Sequence, residues 1–239
     1  SEPVLAADRA RLAEVRQARA EQAAKYFAVH AADWDELRAM HVAEERVEAA
    51  IRRAVGPGPI HALLDLGTGT GRILELLAPL AARAAGIDQS AQMLGLARVR
   101  IERARLRHVQ LLQGDIYALR SGDDRYDLVV MHQVLHYLDD PPRAVREAAR
   151  LLCPGGRLLI VDFAPHEKEA LRLAHAHRRL GFALDEIKTF LSGAGLDLIA
   201  TDNLVPGPGE AGKLTVSLWL GRDRRIIADP LPTRAQEVA

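Results

Sequence analysis

Gly67, Gly69 and Gly71 stand at alternate positions in the run Leu63-Leu64-Asp65-Leu66-Gly67-Thr68-Gly69-Thr70-Gly71-Arg72. Glycines so spaced let a backbone bend sharply and approach a ligand closely, because no Cβ intervenes. The apolar residues before them predict a buried strand, and Ile73 to Leu77 predicts the start of a helix. Unpaired N–H groups and the positive end of the helix dipole would suit an anionic or electron-rich group. Asp65 sits at the carboxyl end of the strand, where open α/β sheets bind ligands. Position 72 is Arg72, so the G-x-G-x-x-G dinucleotide fingerprint is incomplete, and no Gly-Lys-Ser/Thr follows to make a P-loop.

Three further segments carry polar groups to the same edge. Asp88 lies about twenty residues beyond the turn, where a second parallel strand ends after one crossover helix. A carboxylate there can accept two hydrogen bonds from a ribose diol, or can cap the next helix together with Ser90. Val109 to Ile116 reads as a third strand ending in Gly114-Asp115, which is also ordinary turn chemistry. A fourth strand, Tyr126 to Met131, runs into His132-Gln133-Val134-Leu135-His136. Asp140-Pro141-Pro142, a helix from Arg143 to Leu152, Pro154-Gly155-Gly156 and a fifth strand from Arg157 to Phe163 complete the series.

The Asp-x-Gly-x-Gly-x-Gly run resembles motif I of the class I methyltransferases that use S-adenosylmethionine. Gly86-Ile87-Asp88-Gln89-Ser90-Ala91-Gln92-Met93-Leu94 resembles the same family's second motif, and the likeness runs from about Tyr26 to Leu220. The resemblance implies S-adenosylmethionine as cofactor and S-adenosylhomocysteine as product. It implies that Asp65, Gly67, Thr68, Gly69, Gly71, Asp88, Gln89, Met93, Gly114, Asp115, Ile116, His132 and Gln133 hold the cofactor. Asp88 would take the ribose, Asp115 the adenine amino group, and the Ile116 amide a ring nitrogen. It also implies a seven-stranded, mostly parallel, doubly wound sheet of order 3-2-1-4-5-7-6, the last strand inserted antiparallel.

Methyl transfer from a sulfonium is a direct displacement, so the protein chiefly binds, aligns and excludes water. A base is needed only if the acceptor must lose a proton, and His132, His136 and Tyr26 are the candidates, with His175 and His177 behind them. One helical turn would place His132 and His136 on one face, and imidazole titrates near neutrality. In the resembled family the position of His136 often holds a structural histidine. A metal is not expected, since two histidines lack a third ligand and no H-E-x-x-H is present.

His175-Ala176-His177-Arg178-Arg179-Leu180-Gly181-Phe182 falls where this fold builds its acceptor pocket, though cations also favour a solvated helix end. His175, His177 and Arg178 are therefore substrate candidates, with Trp34 and Arg38 of a leading segment that resembles a lid. Tyr26 and Trp34 could face the sulfonium or pack in the core. No Asp/Asn-Pro-Pro-aromatic tetrad follows strand four, no Pro-Cys nucleophile is present, and one cysteine cannot hold arsenite. An O, C or N atom of a small molecule remains as acceptor. The His-Gln-Val-Leu-His and His-Ala-His-Arg-Arg-Leu-Gly-Phe segments are most similar to the methyltransferase half of bacterial ArsR-type regulator fusions. A module that senses the cofactor, or dimerises, with little turnover is therefore the alternative.

The 239 residues are 49% hydrophobic with a formal net charge of zero, which gives no basic excess for nucleic acid. Cys153 is the one cysteine, which fits a reducing cytoplasm. No apolar run reaches the roughly eighteen residues of a membrane span, and no signal peptide is visible. Residues 1–55 read as an N-terminal helical lid or extension, 56–221 as the methyltransferase domain and 222–239 as a tail. The first helical stretch is so polar that it is either solvated or packed on a second copy, the latter giving a homodimer. After strand five, Ala170 to Leu180 and Leu184 to Ala194 predict helices, and Leu196 to Thr201 and Leu214 to Leu220 the last strands.

Overall fold

The computed structural model describes Arg11, Glu14 and residues 41–119, 125–210 and 212–225. Its strands are β1 (Ile60–Leu66), β2 (Ala81–Asp88), β3 (Val109–Gln113), β4 (Tyr126–His132), β5 (Leu152–Phe163), β6 (Leu196–Leu204) and β7 (Val216–Asp223). They form one sheet of order β3-β2-β1-β4-β5-β7-β6. Pairing is parallel from β3 to β5 and antiparallel on both sides of β7. The inner strands are near-continuous apolar runs because helices cover both faces, whereas the edge strands β3 and β6 are largely exposed.

Successive side chains in a strand point to opposite faces, so each strand serves two cores. Leu63, Val130, Leu159 and Leu218 share one face with Val47 and Ile51 of α1 (Glu44–Val55) and Leu74 and Leu77 of α2 (Arg72–Leu77). Leu64, Val129, Ile160 and Trp219 share the other. The same strands supply α3 (Ala91–Arg103) and α4 (Pro141–Arg150) with their starting points. Ser90 Oγ accepts from Met93 N–H to cap α3, and Asp140 accepts from Arg143 N–H to cap α4, with Pro141 in the first turn. Val145 and Ala148 of α4 and Ile187 and Leu191 of α6 (Leu184–Gly193) close the second core. A short α5 (Ala170–Ala174) lies between β5 and α6.

The order implied by the resemblance is the order found, but several boundaries differ. β5 starts at Leu152 rather than Arg157, because Pro154-Gly155-Gly156 forms an irregularity within it. Tyr126 pairs with Leu152 and Leu128 with Arg157, so the extra residues loop out, with Gly155 at φ 72°. α2 has only six residues, so its dipole is a small part of any ligand site. The helix expected over 170–180 stops at Ala174, where Ala176 takes a left-handed φ of 55°. β6 continues to Leu204, and β7 occupies Val216 to Asp223. Arg222 and Asp223 are thus sheet residues rather than tail. Arg225 adds to this by donating to Leu152 O and Asp223.

The helix before Gly56 is a layer of the domain, since α1 buries Val47, Ala50, Ile51 and Val55 at helical spacing. Residues 1–10, 12, 13, 15–40 and 226–239 lie outside the described set, so the polar helix, its homodimer, the lid residues Tyr26, Trp34 and Arg38, and the end of the tail do too. No helix among the described residues is long and apolar enough to cross a membrane.

Trp219 is 2% exposed and fills the second core from the strand that joins β5 to β6. Trp219→Ala is expected to cost about 3–5 kcal/mol of folding free energy, read from the midpoint of a urea transition.

Candidate active site

The turn after β1 is fastened from below before any ligand arrives. Gly67 N–H and Thr68 N–H both donate to Ile87 O, at 2.8 and 3.0 Å, and Gly71 N–H donates to Thr68 O at 2.8 Å. Gly67, Gly69 and Gly71 have φ of 73°, 52° and 80°, a region open to glycine and strained for other residues. A Cβ on Gly67 would also run into the side chain of Val134, which comes from the loop after β4. Two loops of the sheet edge therefore touch only because position 67 has no side chain.

Asp88, at the end of β2, joins three of the expected segments. Its Oδ2 accepts from Gly69 N–H at 2.8 Å and its Oδ1 from Ser90 N–H at 2.8 Å, while its backbone O accepts from Gly114 N–H at 3.0 Å. Ser90, not Asp88, caps α3. Burial raises the Asp88 pKa above the usual carboxylate range, against the lowering effect of these backbone bonds. Asp115 accepts from Tyr117 N–H at 2.9 Å and holds the short 3-10 turn Ile116–Ala118 in place. Met93 and Ile116 are buried beside these loops, and Gln89 is exposed, its carbonyl accepting from Gln113 Nε2.

Asp65 is fully enclosed at the end of β1. Thr68 Oγ1 donates to its Oδ2 at 2.6 Å, and its Oδ1 is buried without a hydrogen-bond partner among the described residues. Burial pushes its pKa up to about 7; the Thr68 bond opposes the shift and nearby Asp88 adds to it. A buried carboxylate oxygen without a donor costs free energy unless a cation or N–H group reaches it.

The loop after β4 forms the other wall. His132 is the last residue of β4, and Gln133 turns the chain with φ 51°. Gln133 N–H donates to Val161 O at 2.7 Å, and its Nε2 lies 2.7 Å from His41 Nε2. His41 Nδ1 bonds to Val42 O, so its Nε2 is the acceptor for Gln133. A 3-10 turn, Leu135–Tyr137, follows. The expected helical face shared by His132 and His136 does not exist, because a strand end and a left-handed residue separate them.

His136 is 1% exposed, and its Nδ1 lies 2.7 Å from Oδ1 of Asp162, which is 0% exposed. Asp162 also accepts from His136 N–H at 3.2 Å and Phe163 N–H at 2.8 Å. A carboxylate only accepts, so Nδ1 carries the ring proton and Nε2 the lone pair. Asp162 was not among the expected residues; the signal for it was an acid inside the apolar run Leu158-Leu159-Ile160-Val161-Asp162-Phe163. His177 packs 4.2 Å from the His136 ring and stacks on Phe163 at 5.8 Å and 13°. Burial, and then nearby His136, His166 and His175, push its pKa down to about 2.

His175 is half-buried in the same loop. Arg178 pairs with Asp139 at 3.0 Å, and the amides of Arg178 and Arg179 donate to His136 O. The segment expected to line an acceptor pocket is therefore fastened onto the 3-10 turn after β4, with Arg178 serving as a fastener. Among the described residues no group of three His, Cys, Asp or Glu side chains is arranged to hold a metal ion.

Residues 64–160 match the family described as the methyltransferase domain. The chain is similar to the uncharacterized methyltransferase YcgJ of Bacillus subtilis, 32% identical over 108 residues, which is 45% of this chain and 43% of that protein. It is 36% identical over 115 residues to demethylmenaquinone methyltransferase of Thermus thermophilus, covering 47% and 52% of the two. The chain spans about half the length of these curated relatives. The solved structure of the N-methyltransferase NodS of Bradyrhizobium japonicum, in complex with S-adenosyl-L-homocysteine, shares the fold with a TM-score of 0.61 at 23% identity, covering 77% of this chain and 88% of that one. The glycine turn and the acids at the ends of β1, β2 and β3 thus lie within the stretch that matches a methyltransferase domain, on a sheet of order β3-β2-β1-β4-β5-β7-β6.

Proposed function

We propose that this protein transfers a methyl group from S-adenosylmethionine to an O, C or N atom of a small molecule by direct in-line displacement. The observation that carries the reading is the buried Asp65 Oδ1, which lacks a partner beside a glycine turn already braced by Asp88. The cofactor's methionyl ammonium supplies the missing donor. Asp88 keeps lone pairs for a ribose diol beyond its two backbone bonds, and Asp115, Ile116 and Met93 bound the place for the adenine. The bound cofactor supplies an electrophilic methyl group. The protein's own part is to hold it at the carboxyl edge of the sheet and to exclude water.

The acceptor side is framed by the loop after β4 and by residues 164–182. The printed names of the relatives, a demethylmenaquinone methyltransferase and ubiquinone biosynthesis O-methyltransferases, support a ring-bearing small molecule. The formal net charge of zero gives no basic excess for nucleic acid and so supports a small acceptor, and the single cysteine supports a reducing, cytoplasmic setting.

Calorimetric titration with S-adenosylmethionine and S-adenosylhomocysteine, followed by an acceptor screen for S-adenosylhomocysteine release, tests the reading. Both nucleosides should bind, and Gly67→Ala should lose that binding, because the added methyl forces the Val134 loop away. Undiminished affinity in Gly67→Ala would remove the turn from the site. Affinity should also rise as pH increases through about 7. Below that value Asp65 is protonated in the free protein and must give up its proton to meet an ammonium, a cost of up to tenfold (~1.4 kcal/mol) per pH unit. Asp65→Asn should flatten this dependence, and a wild-type affinity independent of pH between 6 and 8 would contradict it (~one unit either side of the shifted value).

A further inference from the structure

We propose that Asp162, through its bond to His136 Nδ1, makes His136 Nε2 the proton acceptor for methylation of a weakly acidic hydroxyl on a planar ring, a phenol or enol. The inference rests on the proposed function and adds the acceptor atom and the route of its proton.

Three observations converge. First, the carboxylate fixes the tautomer, so Nε2 presents a lone pair. Second, that nitrogen is buried without a hydrogen-bond partner among the described residues, as is Nδ1 of neighbouring His177. Leaving that nitrogen unpaired in the interior costs free energy that a hydroxyl donor would recover. Third, the walls are aromatic: Tyr137, Phe163 and His177 stand 4.0, 5.0 and 4.2 Å from the His136 ring. Flat faces suit a planar ring. The groups that face the pair are Asp162 from β5, Tyr137 from the 3-10 turn, and His166, His177 and Arg178 from the segment after β5.

Chemically, an aromatic hydroxyl near pKa ~10 is a poor nucleophile when neutral and a good one when its proton is leaving. The acceptor oxygen forms a bond to the methyl carbon while the carbon–sulfur bond of the cofactor breaks and its electron pair stays on sulfur. The hydroxyl proton passes to His136 Nε2, and the carboxylate of Asp162 balances the imidazolium. Asp162 acts here as a positioning residue, because it reaches the acceptor only through His136. The segment 164–182 must ease off the ring for the acceptor to enter. Its hold on the 3-10 turn is two backbone bonds and the Arg178–Asp139 pair.

The test uses His136→Asn, whose amide can still donate to Asp162 but has no atom at the Nε2 position. Asp162→Asn and the wild type are compared with it. All three are first checked for thermal unfolding and for S-adenosylhomocysteine affinity, so that loss of cofactor binding would count against the proposed function and not against this inference. With 4-nitrophenol added to the S-adenosylhomocysteine-loaded protein, the wild type should show the phenolate absorption band at a pH where the free compound is mostly neutral. His136→Asn should not. In turnover with a panel of phenols, His136→Asn should lose roughly 10²–10⁴-fold in kcat. Asp162→Asn should lower kcat with phenols while leaving S-adenosylhomocysteine affinity in place, because the ring tautomer that leaves Nε2 unprotonated is then no longer fixed. Should Asp162→Asn unfold, His136→Asn alone decides. Full phenol turnover in His136→Asn, or a wild type that methylates amines, carbon or alkyl alcohols and no phenol, overturns the inference.

Discussion

One carboxylate ties the ligand edge of this sheet together. Asp88 bonds at once to the amide of Gly69 in the first loop and that of Ser90 at the head of α3, while its own carbonyl takes the amide of Gly114 in the third loop. Loops from three neighbouring strands are therefore set relative to one another without any ligand. Such pre-ordering matters because a loop frozen only on binding subtracts its lost conformational freedom from the affinity. The same residue raises the cost of ionising Asp65 nearby, so the two acids at the ends of β1 and β2 are coupled.

The opposite wall follows a parallel logic with a different acid. Asp162 collects two backbone amides and the Nδ1 proton of His136, and so aligns the ends of β4 and β5. Nearby, burial disfavours the charged forms of His177 and His166. The site is thus divided into an acidic half around Asp65 and Asp88 and an aromatic half around His136, Phe163 and His177. Arg178 belongs to the framework of the aromatic half, since it pairs with Asp139 just after the 3-10 turn.

Much of the acidic half was legible in the sequence because its physics is local. Glycine at 67, 69 and 71 is demanded by left-handed backbone, and Asp65, Asp88 and Asp115 stand where short strands end. Strand order was legible only through family likeness, since periodicity says that β7 is a strand and not which neighbours it joins. The aromatic half was harder. His132 and His136 have helical spacing, but a left-handed Gln133 breaks the helix, and nothing in the spacing reveals that. The end of α5 at Ala174 was hidden for the same reason, because Ala176 is a good helix former held left-handed by tertiary bonds of the loop. Asp162 was missed because an acid in a fully buried run looks like an interruption until its three donors are seen.

The most direct measurement is a crystal structure of the protein with S-adenosylhomocysteine. The account predicts the nucleoside's amine within hydrogen-bond reach of Asp65 Oδ1, its ribose diol on Asp88, and its sulfur turned toward the loop after β4. A nucleoside bound elsewhere, or one whose amine leaves Asp65 Oδ1 unpaired, would contradict it.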